Sequence, residues 1–276
     1  MSAPAWDSFG VPAEFTPFHR GGSGPPLVLI HGFTDTWRSW DLVIPRLEKS
    51  FDVLALTLPG HAGGPPLGND ITVESMPEGV EATMNREGIE SAHLAGNSLG
   101  GFIALQLAAR GRARSVTGLA PAGGWSAAFQ DEHALDYFVT QQELVRRAAP
   151  FADRIASTPE GRRQATRFIV EDDRLFTPDL VAHQIVGAAS CAAALPMVEV
   201  ARREGFSLDA ARIACPVRFV WGTRDRLLRW PETAVRFRGE WLPNADYIEL
   251  EGVGHCPQLE VPVEVSELIA GTARMA

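Results

Sequence analysis

Gly96-Asn97-Ser98-Leu99-Gly100-Gly101 follows the apolar run His93-Leu94-Ala95 and precedes Phe102-Ile103-Ala104-Leu105. A buried strand, a glycine-framed serine and a helix start, in that order, form a nucleophile elbow. Side chains at the flanking positions would collide with the tight backbone, so glycine is needed there. The turn lifts the serine hydroxyl out of the sheet, over the first turn of the helix. Free N–H groups and the helix dipole favour developing negative charge at that point. The stretch therefore points to a parallel sheet that carries acyl-transfer chemistry.

A serine hydroxyl of ordinary acidity needs a positioned base. Histidine suits the task because its proton affinity lies near neutrality. His255, in Glu251-Gly252-Val253-Gly254-His255, follows the strand-like Tyr247-Ile248-Glu249-Leu250. The base in turn needs a carboxylate to hold its tautomer and stabilise its cation. Asp225 follows the apolar Val217-Arg218-Phe219-Val220-Trp221 and the turn Gly222-Thr223-Arg224. A tetrahedral oxyanion needs two donors aimed at it. The backbone N–H of Leu99, just after the serine, is one. That of Phe33, in the loop after the early strand Pro26–Ile30, is assigned as the other. Asp225 sits between Arg224 and Arg226, and a solvated surface ion pair is the alternative to its catalytic role.

Five stretches carry a resemblance. His31-Gly32-Phe33-Thr34-Asp35, Leu58-Pro59-Gly60-His61, Gly96–Gly101, Trp221–Asp225 and Gly252–His255 together resemble the α/β-hydrolase superfamily over roughly residues 15–273. The order Ser98, Asp225, His255 is the one that superfamily uses. The resemblance implies an α/β fold with a mostly parallel, doubly wound sheet. It also implies that the serine excludes the epoxide-opening and dehalogenating members, which place an aspartate at the elbow. One departure stands out. Many relatives continue Gly60-His61 as Gly-x-Ser, whereas this chain reads Ala62-Gly63-Gly64, which affects the shape of that loop.

Further along, strands at Leu27–Ile30, Val53–Leu58, Ala92–Ala95 and Ser115–Leu119 alternate with helical segments at 41–48, 75–87 and 99–110. From about Pro121 to Phe206 no strand pattern appears. Leu135, Phe138, Val139 and Val145 share a helix face over 131–147, which Pro150 stops. Further helical pieces are expected at 165–170, 180–193 and 197–203. The sheet resumes at Val217–Trp221 and Tyr247–Leu250, and 263–273 reads as a last helix. Residues 1–120 and 207–276 are therefore expected to form the core, and 121–206 a helical cap that excludes water and shapes an acyl pocket. The cap aromatics Trp125, Phe129, Tyr137 and Phe138 are candidates to line it; packing of cap on core is the alternative.

Composition bounds the partners. The 276 residues carry a net charge of −9, which argues against a nucleic-acid partner. No apolar run approaches the roughly 20 residues of a membrane span. The segment Met1–Asp7 lacks the basic start and long apolar stretch of a signal peptide, and three widely spaced cysteines (Cys191, Cys215, Cys256) suit a reduced, cytoplasmic chain. Neither metal-ligand spacing nor a phosphate loop is found, and the elbow holds serine where a dinucleotide turn needs glycine. No cofactor is expected. Asp35 reads as an N-cap for the helix near Trp37, and His31 and His61 as structural hydrogen-bonding residues. Arg146, Arg147, Arg162 and Arg163 read as a solvated face. The expectation is a cofactor-free serine hydrolase, monomeric or homodimeric, acting on a small or medium carboxylic ester or lactone. Carbon–carbon bond hydrolysis, perhydrolysis and a slow-turnover ligand receptor are the alternatives.

Overall fold

The apolar runs become strands packed side by side. The computed structural model describes residues 15–126 and 134–276, so Phe129 and the side chain of Tyr137 fall outside it. The strands are β1 (Phe18–Gly22), β2 (Pro26–Ile30), β3 (Asp52–Leu56), β4 (Ala92–Asn97), β5 (Ala113–Leu119), β6 (Val217–Gly222) and β7 (Asp246–Leu250). Among the described residues they form one sheet in the order β1-β3-β2-β4-β5-β6-β7. β1 runs antiparallel to β3, and every other pairing is parallel.

Successive side chains of a strand point to opposite faces. Val28, Ile30, Leu54, Leu56 and Leu94 accordingly join one core. Leu27, Leu29, Val53, Ala55 and Ala95 join another on the opposite face. Both faces are covered, which is why these strands read as unbroken apolar runs. α2 (Ser75–Arg86) and α3 (Leu99–Ala109) contribute to the first core, and α10 (Pro262–Ala273) to the second. The mostly parallel, doubly wound sheet expected from the sequence is the one observed.

Three local expectations need correction. β1 was not anticipated, because Phe18-His19-Arg20-Gly21-Gly22 shows no apolar alternation; it forms by pairing with β3, Phe18 opposite Leu56 and Gly22 opposite Asp52. The helix expected over 41–48 is instead a 3-10 turn at Trp37–Trp40 followed by the short α1 (Ile44–Leu47). Its cap is Thr36, whose hydroxyl accepts from Arg38 N. Asp35 sits one residue earlier and accepts from Thr36 N at 2.8 Å.

No strand lies between β5 and β6 among the described residues. The chain there forms α4 (Ala134–Ala148), α5 (Ala152–Ala156), α6 (Pro159–Thr166), α7 (Pro178–Ala189) and α8 (Ala194–Glu204). α6 starts earlier than the apolar spacing suggested because Thr158 caps it, accepting from Gly161 N, with Pro159 in the first turn. Thr177 and Pro178 start α7 in the same way. These helices share a small core of their own around Ala156, Phe176, Val181 and Ile185, which also takes in Cys256 and Leu259 beside α9 (Pro257–Glu260). Among the described residues no single helix is long and apolar enough to cross a membrane.

Candidate active site

The elbow between β4 and α3 is strained in the expected manner. Ser98 has φ 53° and ψ −117°, a region that side chains rarely adopt. Its neighbours hold it there. A Cβ on Gly96 would lie 2.2 Å from the Gly100 carbonyl oxygen, and one on Gly100 would lie 2.1 Å from that of Ile30. Ser98 N donates to Leu119 O at 2.9 Å, and Ser98 O accepts from Ala122 N at 3.0 Å. The turn is thus pinned to the end of β5.

His255 comes from the loop after β7 and Asp225 from the loop after β6. His255 Nδ1 lies 2.7 Å from Asp225 Oδ2, and both residues are buried. The other carboxylate oxygen, Oδ1, accepts from Leu227 N and Leu228 N, each at 2.8 Å. One oxygen is committed to backbone and the other to the imidazole. That fixes the proton of His255 on Nδ1 and leaves Nε2 to accept another. Ser98 and His255 line the same cavity of about 270 Å³. The Ser98 hydroxyl makes no hydrogen bond among the described residues, and such contacts often tighten only when substrate is present.

The Phe33 and Leu99 side chains line that cavity too. Neither backbone N–H has a hydrogen-bond partner among the described residues. Thr34, the next residue after Phe33, has φ 64°. His31 shapes this loop from below. Its Nδ1 donates to Gly32 O at 2.6 Å, and its Nε2 accepts from Leu58 N at 2.9 Å. Burial holds its pKa well below the ordinary value, so it stays neutral and keeps both bonds. His61 packs 5.0 Å from it, and burial lowers its pKa to about 4. His61 Nδ1 lies 3.1 Å from Pro59 O, and its buried Nε2 has no partner among the described residues. The departing loop after His61 closes through Gly64 N to His61 O at 2.9 Å, and Ala193 N reaches back to Gly60 O at 3.0 Å.

Two positioning residues escaped the sequence reading. Asn97 Nδ2 donates to His255 O at 3.0 Å and to Leu119 O at 3.1 Å, tying the histidine loop to the elbow. Glu260 accepts from Gly254 N at 2.6 Å and from Glu171 N and Asp172 N, both at 2.9 Å. Cys256 N donates to Ile169 O at 2.8 Å. Arg226 pairs with Glu171 at 2.8 Å. The segment 167–172 of the inserted helices is thereby laced to the loops carrying both Asp225 and His255. Asn97 stood inside the elbow motif, but nothing in its type announced a bond 158 residues away.

Trp125 and Phe138, two of the candidate pocket residues, line the cavity. Phe138 meets Phe33 edge-on, with ring centroids 5.2 Å apart. Phe168, Met197, Val198 and Phe206 line it as well and were not anticipated. They belong to different parts of the insertion, and only packing brings them together. Arg147 and Arg163 pair with Glu143 and Glu160 on their own helices and are largely exposed, and Arg146 is exposed too, whereas Arg162 is half-buried and donates to Ala156 O at 2.8 Å.

A strained elbow serine, a histidine bonded to a carboxylate and a covered apolar cavity, on this sheet, define a hydrolase. The chain belongs to the alpha/beta hydrolase family, whose model matches residues 27–268. It is 34% identical to epoxide hydrolase EphH of Mycobacterium tuberculosis over 197 residues, covering 69% of this chain and 89% of that one. Its structure resembles that of a membrane phospholipase A described as a bacterial virulence factor, with a TM-score of 0.74 and 26% identity, covering 94% of this chain and 83% of the other. A meta-cleavage product hydrolase from Pseudomonas fluorescens IP01 shares the fold, with a TM-score of 0.70 and 21% identity over 93% of each chain.

Proposed function

We propose that this hydrolase cleaves small or medium carboxylic esters or lactones through an acyl-enzyme on Ser98. Ser98 attacks the carbonyl carbon while His255 Nε2 takes its proton. The imidazolium so formed is stabilised by Asp225 through Nδ1–H. The tetrahedral oxyanion is held by the N–H groups of Phe33 and Leu99. His255 then protonates the leaving alcohol. Water, deprotonated by the same imidazole, releases the acid. The four parts are complementary to charge that develops only in the transition state.

The observation that carries this reading is the strained Ser98 in one cavity with a His255 whose Nδ1 is already bound to Asp225. The name of the mycobacterial relative raises epoxide opening as a second possibility. Members that open epoxides are expected to attack with an elbow aspartate, and this chain has Ser98 there. In the proposed reading residues 121–206 act as a cap that keeps bulk water from the acyl carbon, and residues 1–120 and 207–276 hold the catalytic groups. The partner is a small acyl substrate.

Turnover of p-nitrophenyl acetate tests the reading. Ser98→Ala is expected to lower kcat by on the order of a millionfold. A variant that keeps wild-type turnover would rule out the acyl-enzyme. Steady turnover, as opposed to a single stoichiometric burst, separates an enzyme from a receptor on the same scaffold.

A further inference from the structure

The cavity follows one helix. Ser98, Leu99, Phe102, Ile103 and Gln106 all line it. On an α-helix these positions lie along a single face. A rise of 1.5 Å per residue makes the run from Ser98 to Gln106 ~12 Å long. Met76 on α2 and Met197 and Val200 on α8 line the same cavity. Met76 and Ile103 are 1% exposed and Val200 2%, so this wall is dry and apolar.

The chemistry sets the direction in which a substrate lies. His255 must protonate the leaving group, so the alcohol part sits on its side. Leu227, Leu228 and Arg229, just after the Asp225 that holds His255, line the cavity. The acyl part then points away from His255, along α3. Of the α3 residues that line the cavity, Gln106 is the farthest along the helix from Ser98. It is half-buried, and its amide makes no hydrogen bond among the described residues. A chain that continued past it would strip water from that amide and give nothing back.

We propose that the face of α3 from Leu99 to Gln106 is an acyl-chain site that takes straight acyl groups of about eight to ten carbons, the length an extended chain needs to cover that run. Gln106 is its stop. The proposal rests on the acyl-enzyme reading of Ser98 and adds the substrate class: esters of medium-chain fatty acids.

The test is kcat/KM for p-nitrophenyl esters from acetate to palmitate. In the wild-type chain the value should rise roughly two- to fourfold per added methylene, the worth of burying one. It should peak near octanoate or decanoate and then fall. Gln106→Trp fills the far end, and the octanoate-to-butyrate ratio should drop by about tenfold or more. Gln106→Leu removes the polar stop, and the optimum should move to longer chains. A flat or falling wild-type profile from acetate upward overturns the proposal. So does a Gln106→Trp variant with an unchanged ratio. Should that variant not fold, an unmoved optimum in Gln106→Leu is equally decisive against it. A flat profile in an enzyme that still turns over acetate through Ser98 refutes only the acyl site. Absence of turnover on every ester refutes the acyl-enzyme and this site with it.

Discussion

In the proposed mechanism Ser98 reacts only if a distant imidazole keeps the right tautomer, and Asp225 is the group that would decide this. Its Oδ1 is held by Leu227 N and Leu228 N, which leaves Oδ2 for His255. In Asp225→Asn the amide oxygen would still satisfy the backbone donors, and the NH₂ would then face Nδ1. That favours the tautomer with its proton on Nε2, which cannot accept one from serine. The expected loss in kcat is about ten-thousandfold, with binding little changed. Steady-state kinetics at constant pH check this, and a loss under tenfold would contradict it. Ser98, Asp225 and His255 stand out in the sequence as candidates because each follows a strand at a turn and is of a type suited to its proposed task, and the structure brings Ser98 and His255 to one cavity with Asp225 bonded to His255. Asn97 and Glu260 do not stand out. Their hydrogen bonds depend on which distant segment they meet, and a single sequence holds no sign of that.

At the scale of elements, the loop carrying His255 is held by the short helix that follows it. Glu260, at the end of α9, gathers the N–H groups of Gly254, Glu171 and Asp172 onto one carboxylate. Glu260→Ala leaves three donors without that acceptor. The melting temperature should fall by roughly 5 °C or more, since each lost bond to a charged group is worth about 1.5–3 kcal/mol. kcat should fall by about tenfold with KM nearly unchanged, because His255 loses its alignment while the substrate wall stays. Thermal unfolding and ester kinetics on the same preparation test both, and a variant equal to wild type in both would remove Glu260 from the positioning role. The strands β2 to β6 could be read from composition because burial on both faces leaves mainly apolar residues in them. β1 could not, since its place at the sheet edge is decided by β3 and not by its own sequence. Two helix starts in the insertion, those of α6 and α7, are set by Thr158-Pro159 and Thr177-Pro178, cap signals that outrank apolar spacing.

Across the whole molecule, the loop that carries Phe33 is clamped between sheet and insertion. Thr36 Oγ1 lies 3.0 Å from His183 Nε2 on α7, and Arg38 bonds Asp179 at 2.8 Å. Asp35 sits in this clamp. Desolvation raises its pKa from 3.8 to about 7, opposed by the bond from Thr36 N and assisted by nearby Asp41. The direction of the effect on stability follows from linkage. Below its unfolded value of 3.8, both folded and unfolded chains hold the proton and Asp35 has no effect. Between 3.8 and about 7 only the folded chain holds it, so stability falls as pH rises. Above that the full penalty remains. Burial lowers the pKa of His61 and of His183 to about 4, and these act in the opposite sense, since the folded chain keeps them neutral. The difference between Asp35→Asn and wild type isolates the carboxyl. Their melting temperatures should coincide near pH 4, separate in favour of the variant up to about pH 7, and stay apart above it. A constant difference across that range would show that Asp35 does not titrate there. The clamp draws on residues 31–41 and on α7, which no local pattern connects.

In the proposed mechanism, segments more than a hundred residues apart converge to make one alcohol reactive. Intact-mass analysis after treatment with a fluorophosphonate, followed by peptide mapping, tests it most directly. The expected result is one adduct per chain on Ser98, absent from Ser98→Ala and slowed at least a hundredfold in a His255→Ala chain that remains folded. An unreactive Ser98 in the folded wild-type chain, or labelling of Ser98 at the same rate without His255, would contradict it.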